Sequence, residues 1–188
     1  MATTAILGKT CAGKNTIANY LISQYGYKRI ITYTSRPMRE GEEQDVDYHF
    51  ISKGELLNKI KDGFFAEWKV YNTKFGFWYY GTSIESIKDA DDNTILIITP
   101  DGYRDIKKLG IPLNSIYVYA DNETIKKRLI ERGDDEIEAN RRLKADNIDF
   151  DGIEDEVSLI VSNVEGIDIN KVTKECIDWL EYRMKRFE

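Results

Sequence analysis

Apolar runs alternate with stretches of helical spacing along most of this chain, and the pattern predicts alternating strands and helices. Continuous apolar or β-branched runs predict five strands, at residues 2–7, 29–33, 94–99, 115–120 and 157–161. Apolar residues at helical spacing predict helices at residues 14–24, 101–109, 122–132, 137–147 and 170–186. We therefore expect an α/β fold in which a parallel five-stranded core sheet carries helices on both faces.

Residues 34–90 interrupt this alternation and predict a small β-rich insert. Aromatic residues are concentrated between residues 64 and 80, where most of them fit the insert's own core and a few are left to contact a flat base. Residues 72–76 predict a hairpin. Because no linker or repeat divides the chain, we expect one domain, with its core formed by residues 1–33 and 91–188.

Composition and charge limit the classes of function. The chain has 188 residues, of which 41% are hydrophobic and 32% charged, and a formal net charge of −6, as in a soluble globular protein. A net acidic surface argues against binding to nucleic-acid polymers or anionic membranes. The only two cysteines, Cys11 and Cys176, favour a reducing compartment. We expect a cytoplasmic protein whose anionic ligands meet a local basic pocket.

A glycine-rich loop follows the first predicted strand and leads into the first predicted helix. It reads Gly8-Lys9-Thr10-Cys11-Ala12-Gly13-Lys14. Glycines let the backbone turn its N–H groups around an anion, the helix N-terminus adds partial positive charge, and Lys14 can reach the outer phosphates. The pattern asks for Ser or Thr after the lysine, but Asn15 stands there and Thr16 comes one place late. We predict that residues 8–16 bind a nucleoside triphosphate; the alternative is a plain glycine-rich turn.

Two stretches of the insert carry further chemistry. The first runs from Thr32 through Thr34-Ser35-Arg36-Pro37-Met38-Arg39-Glu40-Gly41-Glu42 to Asp47-Tyr48-His49-Phe50, and the second combines Phe64-Phe65-Ala66-Glu67-Trp68 with Tyr80-Gly81-Thr82-Ser83. Together with the glycine loop, these stretches closely resemble guanylate kinase, a family of P-loop nucleoside monophosphate kinases. The resemblance implies a P-loop NTPase-type three-layer sandwich with a β-rich GMP-binding insert and a helical lid.

Two arginines flanking Pro37 can fork onto the oxygens of a monophosphate. The resemblance implies that Arg36 and Arg39 bind the phosphate of GMP, helped by the hydroxyls of Tyr48 and Tyr80. Without the surrounding motif, both arginines fit solvated loop positions equally well.

Guanine presents two adjacent donors, N1–H and the N2 amino group, and one carboxylate can accept both. Glu67 matches the family residue with this role, while Thr32 and Thr82 match hydroxyl positions near the base. Adenine has an acceptor at N1 and would leave the carboxylate unpaired, so such a site can reject adenine by roughly 10⁴-fold or more. The alternative for Glu67 is a surface acid on an edge strand.

Arginines cluster at about residues 130–147, the region that forms a mobile lid in this family. The resemblance implies that Arg132 and Arg142 move onto the phosphates and neutralise charge in the transition state, with support from Arg128. It also implies that Asn163 binds ATP, beside the adenine.

The residues expected around magnesium depart from the family pattern. Where the family commonly has two acids at the end of the third sheet strand, this chain has Ile97 and Thr99, and Asp101 is shifted. Asn15 replaces the usual magnesium hydroxyl, although the carbonyl oxygen of an Asn side chain can still ligate a hard cation. We expect Mg²⁺ to bind with ATP, held in part by Asn15.

The resemblance thus implies ATP-dependent phosphorylation of GMP to GDP, with Lys14, Arg39, Arg132 and Arg142 as the catalytic cations. Two alternatives stay open. One is a non-catalytic guanylate-kinase-like binding module, which the retained Lys14 disfavours, and the other is a P-loop kinase with a different phosphorylated acceptor. We expect a monomer or homodimer that binds ATP and GMP, no nucleic-acid polymer and no membrane. Acceptance of dGMP is an open question.

Overall fold

Five short strands build the central sheet. In the computed structural model, which describes residues 2–73 and 76–186, they are β1 (Thr3–Leu7), β2 (Lys28–Arg29), β7 (Thr94–Ile97), β8 (Leu113–Tyr119) and β9 (Leu159–Ser162). Their spatial order is β2-β7-β1-β8-β9, and each of these neighbouring pairs is parallel. The predicted parallel five-stranded sheet is therefore confirmed.

Helices connect these strands and cover the sheet. The described residues form α1 (Lys14–Tyr25), α2 (Lys53–Lys61), α3 (Ile84–Lys88), α4 (Pro100–Lys108), α5 (Asn122–Glu131), α6 (Glu136–Asp149) and α7 (Ile169–Arg186), with a 3₁₀ turn at Ile153–Asp155. None of the helices in the described ranges combines the length and the apolar character needed to cross a membrane.

The core lies on both sides of the sheet, because alternate residues of a strand point to opposite faces. Ile6 of β1 belongs to a buried cluster that includes Leu21 of α1 and Leu180 of α7. Its neighbour Leu7 belongs to a second buried cluster, which includes Ile106 of α4. Two clusters separated by one sheet make the predicted three-layer sandwich. The loop after β1 lies at the carboxyl edge of this sheet, where ligands bind in such folds.

A second, four-stranded sheet forms within residues 33–83. Its strands are β3 (Tyr33–Thr34), β4 (His49–Phe50), β5 (Phe65–Thr73) and β6 (Gly76–Ser83), in the order β4-β3-β6-β5. Strands β5 and β6 pair antiparallel from Phe65–Ser83 to Thr73–Gly76. The predicted hairpin at residues 72–76 therefore has both flanking strands, while Lys74 and Phe75 lie outside the described residues.

The predicted single strand at residues 29–33 is wrong. The chain leaves the central sheet after β2, where the Ile30 N–H still donates to the carbonyl of Ile95 at 2.9 Å. It then joins the second sheet, where the carbonyl of Thr32 accepts from the His49 N–H at 2.9 Å. The two ends of this one run thus pair with strands of different sheets, and the chain enters the insert between them.

Candidate active site

The glycine loop lies between β1 and α1 and is packed too closely to carry side chains at its two glycines. A Cβ on Gly8 would lie 2.8 Å from the carbonyl oxygen of Val118. Gly13 has a φ of 104°, and a Cβ there would collide with the side-chain amide of Asn163. Cys11 also takes a left-handed φ, of 54°. These conformations form a tight turn at the N-terminus of α1, a kind of backbone that can bind an anion.

Lys14 begins α1 and folds back over this loop. Its Nζ donates to the carbonyl oxygens of Gly8 at 2.6 Å and Lys9 at 2.8 Å. Burial lowers the pKa of Lys14 to about 8, and the charge of Asp146 opposes that shift. The amine is therefore still mostly protonated at neutral pH, and a phosphate oxygen can replace the carbonyls as its partner.

Two side chains from the C-terminal half of the chain hold the loop backbone in place. Asn163 is 4% exposed, and its Nδ2 donates to the carbonyl of Ala12 at 2.8 Å. A guanidinium nitrogen of Arg128 donates to the carbonyl of Cys11 at 3.1 Å. Both residues thus contact the loop itself, and the position of Asn163 beside adenine stays a prediction.

The two arginines of the predicted acceptor site differ in their surroundings. Arg36 is 4% exposed and forks onto Glu42 at 2.7 and 2.9 Å. Burial is the largest single influence and lowers the pKa of Arg36, but Glu42 and Tyr80 together outweigh burial and leave the pKa raised. Its guanidinium carbon lies 5.4 Å from the centre of the Tyr48 ring, and Tyr80 is the second group that raises its pKa. Arg39 is exposed, and its backbone N–H donates to Glu42 at 2.8 Å.

Glu67 is a half-buried carboxylate between the second sheet and α4. It faces Thr82 across β5 and β6, and the Thr82 hydroxyl donates to its Oε1 at 2.5 Å. Its other oxygen touches the first turn of α4, where a Cβ on Gly102 would lie 2.8 Å away. Burial raises the pKa of Glu67 to about 7. Thr32 is half-buried just before β3.

Helix α6 contacts both the glycine loop and strand β5, the strand that carries Glu67. The Thr10 N–H donates to Asp146 at 2.6 Å, and one turn later Asp149 accepts from Lys69 at 2.7 Å. Lys69 lies two residues after Glu67, on the same face of β5. Because Asp146 and Asp149 are separated by only about 4.5 Å of helix rise, the last turn of α6 connects the glycine loop to the second sheet.

The other two predicted cations pair with acids of their own segment. Arg132 donates to Asp134 at 2.5 and 2.9 Å. Arg142 donates to Glu138 at 2.7 Å and lies 3.5 Å from Asp134. The structure therefore brings Arg132 and Arg142 together around Asp134 and gives both of them carboxylate partners.

Sequence reasoning missed several acids that contact the predicted cations. Glu42 stood inside the quoted motif, and its place after Gly41 was the available signal. For Glu138, a spacing of four residues places its carboxylate one helical turn from Arg142. Asp134 lies only two residues after its partner Arg132. For Asp146 the sequence offers no signal, because its partner Thr10 is 136 residues away.

The residues expected around magnesium fit that ion in a limited way. Within the described ranges, no group of three or more His, Cys, Asp and Glu side chains could hold a metal ion. Ile97 cannot ligate, and the Thr99 hydroxyl caps α4 by accepting the Gly102 N–H at 3.3 Å. The exposed amide of Asn15, next to Lys14, supplies one oxygen. Since Mg²⁺ at nucleotide sites needs only one or two protein ligands besides phosphates and water, this donor set is compatible with it.

Comparisons with known proteins identify the family of this chain. The sequence profile of the family described as guanylate kinase matches residues 1–180. Guanylate kinase of Helicobacter hepaticus is 36% identical over 140 residues, covering 71% of this chain and 68% of that protein. Guanylate kinase of Sulfurimonas denitrificans is 36% identical over 135 residues, covering 68% of this chain and 63% of that protein. The matches thus span about two thirds of these relatives' length.

A solved structure confirms the fold. The crystal structure of guanylate kinase from Anaplasma phagocytophilum superposes with a TM-score of 0.70 at 20% identity, over 97% of this chain and 86% of that chain. The predicted resemblance is therefore confirmed over the whole fold by structure and over residues 1–180 by sequence. This chain belongs to the guanylate kinase family.

Proposed function

We propose that this protein transfers a phosphoryl group from ATP to GMP and forms ADP and GDP. The observation that carries the proposal is that the glycine loop and strand β5 both contact the last turn of α6, which would let donor and acceptor share one cleft. In-line transfer requires donor and acceptor phosphates to meet end to end, and it needs alignment and charge neutralisation rather than covalent help. Family membership supports the same reaction.

On the donor side, the N–H groups of residues 8–13 and the ammonium of Lys14 bind the phosphates of ATP. Lys14 exchanges its two carbonyl partners for phosphate oxygens. Arg128 and Asn163 keep the loop backbone in position through their hydrogen bonds to it. When bound, Mg²⁺ neutralises part of the phosphate charge, and Asn15 is the residue that would hold it.

On the acceptor side, Arg36 and Arg39 bind the phosphate of GMP with the hydroxyls of Tyr48 and Tyr80. The support is that Arg36 is already oriented, by its fork onto Glu42 and by the flanking tyrosine rings. A pre-oriented guanidinium loses little freedom when a phosphate binds.

The base of GMP is bound by Glu67, with Thr82 and Thr32 beside it. Glu67 accepts the N1–H and N2 amino hydrogens only as a carboxylate, so guanine binding requires its ionised form. The contact with Thr82 fixes one carboxylate oxygen and leaves lone pairs for the base.

Residues 130–147 act as the lid over the reacting phosphates. Arg132 and Arg142 leave Asp134 and Glu138 for the phosphates, and the pairs they leave are partly exposed. Such pairs contribute only about 0–1 kcal/mol, so their exchange costs little. We further propose a cytoplasmic enzyme, monomeric or homodimeric, which the acidic charge and the two free cysteines support.

A coupled ADP-release assay tests the proposal. The protein is given ATP and Mg²⁺ with GMP, dGMP, AMP, UMP or CMP, and a reaction without acceptor measures background hydrolysis. We expect release with GMP and none above background with AMP, UMP or CMP; the dGMP arm decides whether the 2′-hydroxyl matters. Release with a different monophosphate alone would identify another acceptor, and release with none would favour the binding module.

A further inference from the structure

The hydrogen bond between Asp146 and the glycine loop places a carboxylate where a donor phosphate would bind. Its Oδ2 accepts the N–H of Thr10 at 2.6 Å. A carboxylate oxygen at that distance occupies the acceptor position of this N–H, and a phosphate oxygen bonded to the same group would overlap it. Donor phosphate and carboxylate therefore compete for one loop donor.

Neighbouring contacts of α6 hold the carboxylate at the loop. Asn147 accepts a hydrogen bond from the ammonium of Lys9 at 2.6 Å. Asp149, one turn along, accepts from Lys69 of β5 at 2.7 Å. In the nucleotide-free protein, α6 is hydrogen-bonded to the glycine loop through Asn147 and to strand β5 through Asp149. These two contacts keep Asp146 beside the loop in addition to its own hydrogen bond with Thr10.

The charges around Asp146 show what would change when a nucleotide binds. Lys9 and Lys14 approach it from the loop, while Asp149 approaches it from its own helix. Burial is the largest influence and raises the pKa of Asp146. The carboxylate is thus poorly solvated in this position, and a triphosphate arriving on the same two lysines would add strong repulsion between like charges.

We propose that Asp146 sets the affinity for the donor nucleotide by competing with its phosphates for the glycine loop. The inference rests on the donor half of the proposed function. In the nucleotide-free protein the carboxylate stabilises the loop, and ATP must displace it. Asp146 therefore stabilises the empty site and weakens donor binding, two effects of opposite sign on one residue.

Isothermal titration with ATP in EDTA, without acceptor, measures this competition directly. Asp146→Asn keeps an oxygen acceptor for the Thr10 N–H but removes the charge, and Asp146→Ala removes both. We expect Asp146→Ala to bind ATP about tenfold more tightly than the parent protein, with Asp146→Asn between the two. Thermal unfolding without nucleotide should show a lower Tm for Asp146→Ala, because the loop contact is lost.

Asp151→Asn is the matched control, since Asp151 is an exposed acid just beyond the end of α6. This substitution changes the net charge by the same amount as Asp146→Asn. We expect its ATP affinity to equal that of the parent protein. Equal or weaker ATP binding by both Asp146 variants would overturn the proposal, as would an equal gain in Asp151→Asn. Absence of ATP binding in every protein would overturn the proposed function as well.

Discussion

The donor side of the proposed cleft is built mainly from backbone groups, and the acceptor side is built mainly from side chains. On the donor side the backbone provides the anion site, through the loop N–H groups, the start of α1 and two glycines that have no room for a Cβ. On the acceptor side the ligand would meet side chains, above all Arg36 and Glu67. The first site is encoded within a few consecutive residues, whereas the second depends on contacts between separate strands.

The two sides nevertheless share one device. In the substrate-free protein, a carboxylate satisfies each anion site: Asp146 on the loop and Glu42 on Arg36. These contacts hold the loop and the Arg36 guanidinium in place before a ligand binds, so both sites are pre-formed rather than assembled by the ligand. Substitutions on either side should therefore change binding or rate without unfolding the molecule.

Lys14→Ala should have the largest effect and should be confined to the donor side. Removing a charge-neutralising donor costs about 10²–10³-fold in kcat in comparable sites. GMP affinity, measured by titration without ATP, should be unchanged because Lys14 does not contact the acceptor strands. Lys28→Ala is the control, since Lys28 is an exposed lysine on β2. A Lys14→Ala protein with full rate would show that the loop does not hold the donor.

Arg36→Lys should affect the acceptor side alone. Lysine keeps the charge beside Glu42 but cannot fork onto two oxygens, so we expect the KM for GMP to rise by about 10- to 100-fold. The KM for ATP should stay within about twofold. Retention of the charge keeps Glu42 paired, and a circular dichroism melt close to that of the parent protein would confirm folding. A rise in the KM for ATP of similar size would contradict the separation of the two sites.

The difference between the two sides also decides how much the sequence could predict. The glycine loop could be assigned from residues 8–14 because its function depends on local backbone conformation and on the strand and helix that flank it. The parallel five-stranded sheet, though not the spatial order of its strands, followed from the alternation of apolar runs for the same reason. The run at residues 29–33 was misassigned because apolar spacing does not show which sheet a strand will join.

Electrostatic partners across the cleft could not be predicted in this way. The contacts of Asp146 with Thr10 and of Asp149 with Lys69 join segments separated by 136 and 80 residues, and neither has a local motif. The raised pKa of Glu67 likewise arises from burial against α4, which only the folded chain provides. Sequence analysis proposed the cations, and the structure added the acids that contact them.

The pH dependence of GMP use would sharpen the description of the acceptor side. Since the pKa of Glu67 is raised to about 7, the free protein loses the ionised form of Glu67 below that pH. Protonation turns one carboxylate oxygen into a donor, so only one oxygen is left to accept from the two guanine donors. We expect kcat/KM for GMP to fall by up to about tenfold per pH unit below 7. The GMP phosphate also titrates, at about pH 6, so Glu67→Gln is measured in parallel. Its profile should retain only the phosphate dependence; identical profiles would exclude Glu67 as the titrating group.

Glu138→Gln should have the smallest effect, and it tests whether the lid arginines are free to exchange partners. Hydrogen bonds from Arg141 and Arg142 lower the pKa of Glu138 to about 2. Its stabilisation is therefore present above the ordinary pKa of about 4.5 and is lost as pH falls towards 2. Because these side chains are partly exposed, we expect urea denaturation at pH 7 to show a loss under about 1 kcal/mol, shrinking at pH 3. Activity at saturating substrates should persist, since the substitution leaves Arg142 free for phosphate. A loss of activity would mean instead that Glu138 orients Arg142 for the reaction, and the lid would then resemble the acceptor side, where a carboxylate fixes the cation.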